Sequence, residues 1–282
     1  MFAIVRLCRP EQWIKNLFVL IPLLFSKLFL QADSLMNGIS AVILFSLASS
    51  ATYVLNDFRD IEKDKKHPTK SKKRPLAAGQ VSVRAALVLL LILYTTLIVA
   101  VFWMPKVMGV VGAYILLNYA YTFFLKHQPV FDVFVIAIGF VLRVYAGGVA
   151  IGSGVSHWMF IVTLCLALYL ASIKRRQELI KSEDGAREVL GKYTVGLLTR
   201  YAELSATCTI VFYSLFIALV RPELALTIPL MLFGLYRYWF CIEAFDAGES
   251  PTDALLNDKV LQGTIIIWLG LSAWSLLHGP II

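Results

Sequence analysis

The sequence predicts an all-α protein that crosses a membrane many times. Of its 282 residues, 59% are apolar, with a mean hydropathy of +0.76. Only 16% are charged, against about 25% in soluble domains. Apolar runs of roughly 20 residues, the length a helix needs to cross the hydrocarbon core, recur along the chain. A transmembrane β-barrel is excluded, because its strands are about ten residues long and alternate apolar with polar positions.

Nine such runs follow in order, near 14–30, 37–55, 82–103, 107–125, 131–150, 157–173, 203–220, 224–244 and 261–278. Pro22 and Pro229 fall inside runs and are expected to kink them, which membrane helices tolerate where neighbours satisfy the freed carbonyls. Gly147, Gly148, Gly152 and Gly154 are expected to permit close helix packing or a turn near the outer surface.

The net charge is +8, but the cations are confined to a few loops, so the excess reads as membrane topology and no nucleic-acid partner is expected. Twenty of the 26 Lys and Arg precede the first run or follow the second, fourth, sixth and eighth. Because cytoplasmic loops are enriched in Lys and Arg, the N-terminus is expected in the cytoplasm and the C-terminus outside. Residues 1–282 then read as one transmembrane domain of the plasma (inner) membrane, with cytoplasmic loops at 56–80 and 174–200. Arg6, Arg9, Glu11 and Lys15 precede Leu17, and no short apolar core ends in a cleavage site, so no removable signal is expected. Cys8, Cys165, Cys208 and Cys241 lack C-x-x-C spacing and read as small buried hydrophobes. His67, His127, His157 and His278 have no ligand spacing and read as loop or interface residues.

The most informative stretch is Asn56-Asp57-Phe58-Arg59-Asp60-Ile61-Glu62-Lys63-Asp64. Asp57, Asp60 and Asp64 would share a face if the second helix continued into the loop. Lys65, Lys66, Lys70, Lys72, Lys73 and Arg74 follow. Carboxylates suit Mg²⁺ and the cations suit substrate phosphate; a solvated loop with surface ion pairs is the other reading. After the sixth run stands Lys174-Arg175-Arg176-Gln177-Glu178, either a phosphate-binding cluster or a positive-inside helix end. Lys174 and Glu178 lie one helical turn apart. Lys15 and Asn16 stand at the entry of the first run, where a lipid phosphate would lie. Arg143 lies 11 residues beyond Asp132, roughly 16 Å deeper on the same helix face. At that depth it must face protein or water, binding a substrate phosphate or pairing with an acid. Arg237 and Glu243 are expected to pair structurally.

The N-D-x-x-D-x-x-x-D run from Asn56 to Asp64, the H-P-T-K run and K-R-P-L-A-A-G from Lys73 to Gly79 resemble the first aspartate-rich motif of the UbiA superfamily of intramembrane prenyltransferases. The resemblance implies nine helices and an active site opening to the cytoplasm. It also implies Mg²⁺ as cofactor, held by Asp57, Asp60 and Asp64. The family's second aspartate-rich motif is replaced here by Lys174, Arg175 and Arg176. That substitution is similar to the polyprenyl-phosphate phosphoribosyltransferase branch. So are Arg9 to Asn16 (R-P-x-Q-W-x-K-N), Phe131-Asp132, Leu142-Arg143, Ala146-Gly147-Gly148, Lys192-Tyr193-Thr194, Ser250-Pro251 and Asn257-Asp258.

The branch implies transfer of 5-phosphoribose from phosphoribosyl diphosphate to a polyprenyl phosphate in the bilayer, for cell-envelope precursors. Asp57, Asp60, Asp64 and Lys174 would be catalytic. Lys15, Asn16, Asn56, Lys73, Arg74, Arg143, Arg175, Arg176, Glu178 and Tyr193 would bind substrate. A prenyltransferase acting on an aromatic acceptor is the alternative, and a homo-oligomer stays open.

Overall fold

The computed structural model describes residues 2–66, 70–181, 188–244 and 251–279. His67 and Ser250 lie outside these ranges. Among the described residues the regular structure is entirely helical. The long helices are α1 (Ala32–Arg59), α2 (Val83–Ala100), α3 (Pro105–Phe123), α4 (Phe131–Ala150), α5 (His157–Lys181), α6 (Val195–Val220), α7 (Thr227–Ala244) and α8 (Lys259–His278). Six of them, α1, α2, α4, α5, α6 and α8, are long and apolar enough to cross a membrane.

The first expected span is not a continuous α-helix. Pro10–Leu20 is a 3₁₀ helix that passes into an α-helical turn at Ile21–Phe25. With three residues per turn, Asn16, Val19 and Pro22 fall on one face, and all three are buried. This face packs on α4 at Gly147, where a Cβ would stand 1.8 Å from the Val19 carbonyl oxygen. Gly148 plays the same part against the Gly154 carbonyl, 2.6 Å from where its Cβ would be. Gly152 and Gly154 have positive φ and make the turn into α5. The four glycines thus divide between packing and turning. Pro229 does not kink its helix, because it lies in the first turn of α7, where a missing N–H breaks no helical hydrogen bond.

The fold centres on α4, which packs on α1, α3, α5 and the Pro10–Leu20 helix. Of its apolar window 61% is buried, against 17% for α6, so α6 is a peripheral element of the bundle. One apolar cluster joins Val19, Phe45, Val111, Tyr114 and Ala146 across four of these segments. A second, with Tyr169, Tyr238, Ala254 and Leu261, unites α5, α7, α8 and the short Pro251–Asn257 helix.

Arg237 and Glu243 pair as expected: Arg237 with Asp258 at 2.8 Å and Glu243 with Arg176 at 2.6 Å. Asp258 also caps α8 by accepting from the Leu261 N–H at 2.6 Å. The hydrogen bond from Arg237, aided by that amide, holds the Asp258 carboxyl down at about 2. Its contribution is therefore complete above the ordinary carboxylate range and disappears as pH falls through about 2.

Gly147→Ala should lower stability by about 1–3 kcal/mol, read as thermal melting in detergent. Gly109→Ala, whose Cβ would meet nothing within 4 Å, should be neutral or slightly stabilising. Asp258→Ala should cost about 0.5–2 kcal/mol through the lost cap.

Candidate active site

The acidic wall forms because α1 continues past its apolar stretch to Arg59, and a turn at Asp60 leads into the Ile61–Lys65 helix. Asp57 and Asp64 face inward and are 2% and 4% exposed. The basic side of the wall is swung over them by the turn that follows. Buried Leu76 plugs it into the apolar cluster of Leu7, Ala51 and Val54, and Gly79, at φ +68°, closes it. Arg74 is thereby directed inward while Lys73 stays at the exposed surface.

A single guanidinium nitrogen of Arg74 donates to Asp57 Oδ1 at 2.8 Å and to Asp64 Oδ2 at 2.5 Å. Arg9 donates to the same Asp57 oxygen at 2.5 Å and lies over the Tyr53 ring. Asp60 turns away, 3.6 Å from Lys126. Two of the three expected aspartates are thus brought to one point, and the third is held one turn aside. Asn56 is half-buried beside them.

Among the described residues no three His, Cys, Asp or Glu side chains form a ready-made metal cage. The donor set nonetheless fits Mg²⁺, which typically takes one or two carboxylates and completes its shell with water and substrate phosphates. Asp57 and Asp64 already converge on one cationic atom.

The Lys174-Arg175-Arg176 run divides by burial. Arg175 is 1% exposed and donates to Asp132 at 2.7 Å, to Tyr121 at 2.6 Å and to Glu178. It ties α5 to α3 and α4. Asp132 accepts also from the Tyr193 hydroxyl at 2.7 Å, and that hydroxyl in turn accepts from the Val130 N–H at 2.5 Å. This last bond secures Val130 at φ +70°, a conformation unfavourable for a β-branched residue. Burial pushes the Tyr193 phenol above its ordinary range, so it stays protonated and donates. Arg176 joins α5 to Thr199 and Glu243. The expected substrate roles of Arg175, Arg176 and Tyr193 meet a structure in which their polar atoms hold helices together. Lys174 is the more accessible member, 3.8 Å from Glu178.

Arg143 is 4% exposed. It donates to Asn16 Oδ1 and the Gly139 carbonyl, each at 2.8 Å, and to the Tyr114 hydroxyl at 3.2 Å. Phe45, Tyr114 and Phe140 surround its guanidinium. Among the described residues it has no carboxylate partner, so its charge is carried by amide and hydroxyl dipoles and ring faces. Asn16 is wholly buried and donates to Ser46 at 2.9 Å and Ser49 at 3.3 Å; it fixes the 3₁₀ helix to α1 and α4. Lys15 is half-buried and donates to Gln12 at 2.5 Å. Arg9, Tyr121 and Asp132 are the polar groups to which sequence reading gave no role. Arg9 and Asp132 each carried a signal, Arg9 in the R-P-x-Q-W run and Asp132 in the Phe131-Asp132 pair.

A helical bundle with apolar flanks, and buried carboxylates meeting basic side chains at one end, has the architecture of an integral-membrane protein that handles anionic substrates. The model of the UbiA prenyltransferase family matches residues 19–255, and the chain belongs to that family. Over 290 residues it is 36% identical to the decaprenyl-phosphate phosphoribosyltransferase of Mycolicibacterium smegmatis, covering 95% of this chain and 90% of that protein. It is 33% identical to the protein of the same name from Corynebacterium glutamicum, covering 95% and 84%. The structure of a UbiA homolog from Archaeoglobus fulgidus bound to GPP and Mg²⁺ superimposes with a TM-score of 0.73 at 21% identity, over 98% of each chain; that likeness establishes the fold.

Arg175→Ala strands Asp132 and should destabilise the protein by about 3–5 kcal/mol, whereas Lys174→Ala should stay within about 0.5 kcal/mol. Thermal melting of the two variants side by side checks this.

Proposed function

We propose that this chain is a Mg²⁺-dependent transferase. It moves 5-phosphoribose from phosphoribosyl diphosphate to a polyprenyl phosphate, releasing diphosphate. The observation that carries the reading is the convergence of Asp57 and Asp64 on one cationic nitrogen, with basic residues where a second carboxylate pair would load a prenyl diphosphate. Near-full-length likeness to two decaprenyl-phosphate phosphoribosyltransferases supports the same reaction. The absence of a second acidic motif weighs against prenyl transfer to an aromatic acceptor.

In this reading Asp57 and Asp64, with Asp60 one turn away, hold Mg²⁺. When bound, the ion neutralises charge that builds on the leaving diphosphate. Arg74, relieved of its two carboxylates, turns its guanidinium to the same anion, with Lys73 at the rim; preorganised cations there favour departure. Lys174 and Lys15 supply charge for the donor's 5-phosphate and the lipid phosphate. The acceptor phosphate is already anionic near neutral pH. An oxygen lone pair of that phosphate forms the new bond to the anomeric carbon as the carbon–diphosphate bond breaks, and no strong general base is required. Arg143, Asn16, Arg175, Arg176, Glu178 and Tyr193 act by fixing the helices that carry these groups.

Nine crossings of the plasma (inner) membrane, with the N-terminus and the site facing the cytoplasm, complete the reading, and residues 1–282 act as one domain. The 3₁₀ geometry lets the first segment contribute a crossing. Its 11 residues at about 2.0 Å and the five of Ile21–Phe25 at about 1.5 Å together reach about 30 Å, the thickness of the hydrocarbon core.

Purified protein given labelled phosphoribosyl diphosphate, a short polyprenyl phosphate and Mg²⁺ should produce labelled lipid, and chelation should stop it. Asp57→Asn and Asp64→Asn should each lower turnover by more than about 100-fold while the protein remains folded; full activity in both would remove the assigned metal site.

A further inference from the structure

Asp60 stands at the break between α1 and the Ile61–Lys65 helix, between Asp57 and Asp64 in sequence. Its carboxylate is held elsewhere, 3.6 Å from the Lys126 ammonium. The pair is largely shielded from water, with the Lys126 side chain 13% exposed and that of Asp60 22%. Lys126 belongs to Leu125–His127, a single 3₁₀ turn in the connection from α3 to α4.

That connection is pinned at both ends. Arg59, the neighbour of Asp60, donates to the Thr122 carbonyl and lies 4.2 Å from the centre of the Phe123 ring. At the other end the Val130 N–H donates to the Tyr193 hydroxyl at 2.5 Å, and Tyr193 donates to Asp132 at 2.7 Å. In between, the Gln128 N–H closes on the Leu125 carbonyl at 3.1 Å, and the Asp132 N–H on the Gln128 carbonyl at 3.2 Å. Lys126 is therefore set against the acidic wall by backbone contacts that also fix the feet of α1 and α4.

Asp57, Asp60 and Asp64 are met in these ion pairs by Arg9, Arg74 and Lys126, so the charges of the six groups cancel. Against a divalent ion arriving alone, the resident cations compete for the carboxylates and repel the newcomer. A diphosphate changes this, because it offers the same cations a new partner. Mg²⁺ in turn binds best where carboxylates and substrate phosphates share it. Resting on the metal site of the proposed reaction, we propose that Lys126 couples metal binding to donor binding. It holds Asp60 aside until the donor arrives, then passes to an oxygen of the donor's diphosphate while Asp60 turns to join Asp57 and Asp64. Lys126 is thus a donor-binding residue, and no covalent bond changes in the exchange. By linkage, diphosphate and metal each tighten the other by one common factor.

The test uses Mn²⁺ as the probe ion, its unbound concentration fixed by a metal buffer. Binding to the full-length protein is read by electron paramagnetic resonance with and without inorganic diphosphate. Diphosphate should tighten Mn²⁺ about tenfold in the unmodified protein and less than about threefold in Lys126→Met. Without diphosphate, Lys126→Met should bind Mn²⁺ more tightly than the unmodified protein, and this gain should vanish when Asp60→Asn is added. Asp60→Asn alone should lose most of the diphosphate effect, so the coupling is tested even if Lys126→Met does not fold. In turnover, Lys126→Met should raise the KM for phosphoribosyl diphosphate about tenfold and leave that for the lipid phosphate unchanged. A folded Lys126→Met that binds Mn²⁺ no more tightly than the unmodified protein would overturn the exchange. So would a gain that persists without the Asp60 carboxylate, or a KM shift on the lipid phosphate alone. The binding measurements need no turnover: a protein that transferred no phosphoribose would sink the reaction, while Mn²⁺ and diphosphate would still decide the coupling.

Discussion

A charge inside an apolar bundle must be met by protein, and this requirement organises the molecule. Arg143 is satisfied by dipoles and ring faces, and Arg175 by Asp132, Tyr121 and Glu178. Each solution ties together helices that are distant in sequence. Arg143 joins α4 to the N-terminal 3₁₀ helix, and Arg175 joins α5 to α3 and α4. Because an uncompensated charge in such surroundings is severely destabilising, these contacts set the positions of the helices as firmly as apolar packing does.

That bracing gives the charged end its precision. Asp57 sits at the foot of α1, which is fixed to the 3₁₀ helix through the bonds from Asn16 to Ser46 and Ser49. Arg9, at the start of the same 3₁₀ helix, returns to Asp57, and Arg74 reaches back from a turn anchored by Leu76. The carboxylates therefore meet their cations from two directions. In the proposed reaction the divalent ion and the substrate phosphates compete for those same charges, so binding exchanges one set of ion pairs for another and does not expose bare carboxylates to a low-dielectric surface.

The basic run after the sixth apolar stretch shows how far a motif can be read. Its substitution for an acidic motif was evident, and so was the one-turn relation of Lys174 to Glu178. Three adjacent cations nevertheless point three ways around a helix. One ends in the interior, one pairs between helices, and one stays near the mouth. Arg175 and Arg176 look equivalent in sequence, and only their neighbours on α3, α4, α6 and α7 distinguish them.

By itself the sequence determined the helical class, the location of the apolar stretches, the gathering of charge between them and the acidic-basic motif of the UbiA family. These are local properties: composition, period and spacing state them directly. The tertiary structure alone decided that the first stretch is a 3₁₀ helix seated on Gly147. It also decided that Asp57 and Asp64 share one guanidinium while Asp60 does not, and that Arg175 braces the bundle. Those outcomes depend on which distant segment supplies the partner for a buried polar group, and that is settled only when the helices pack.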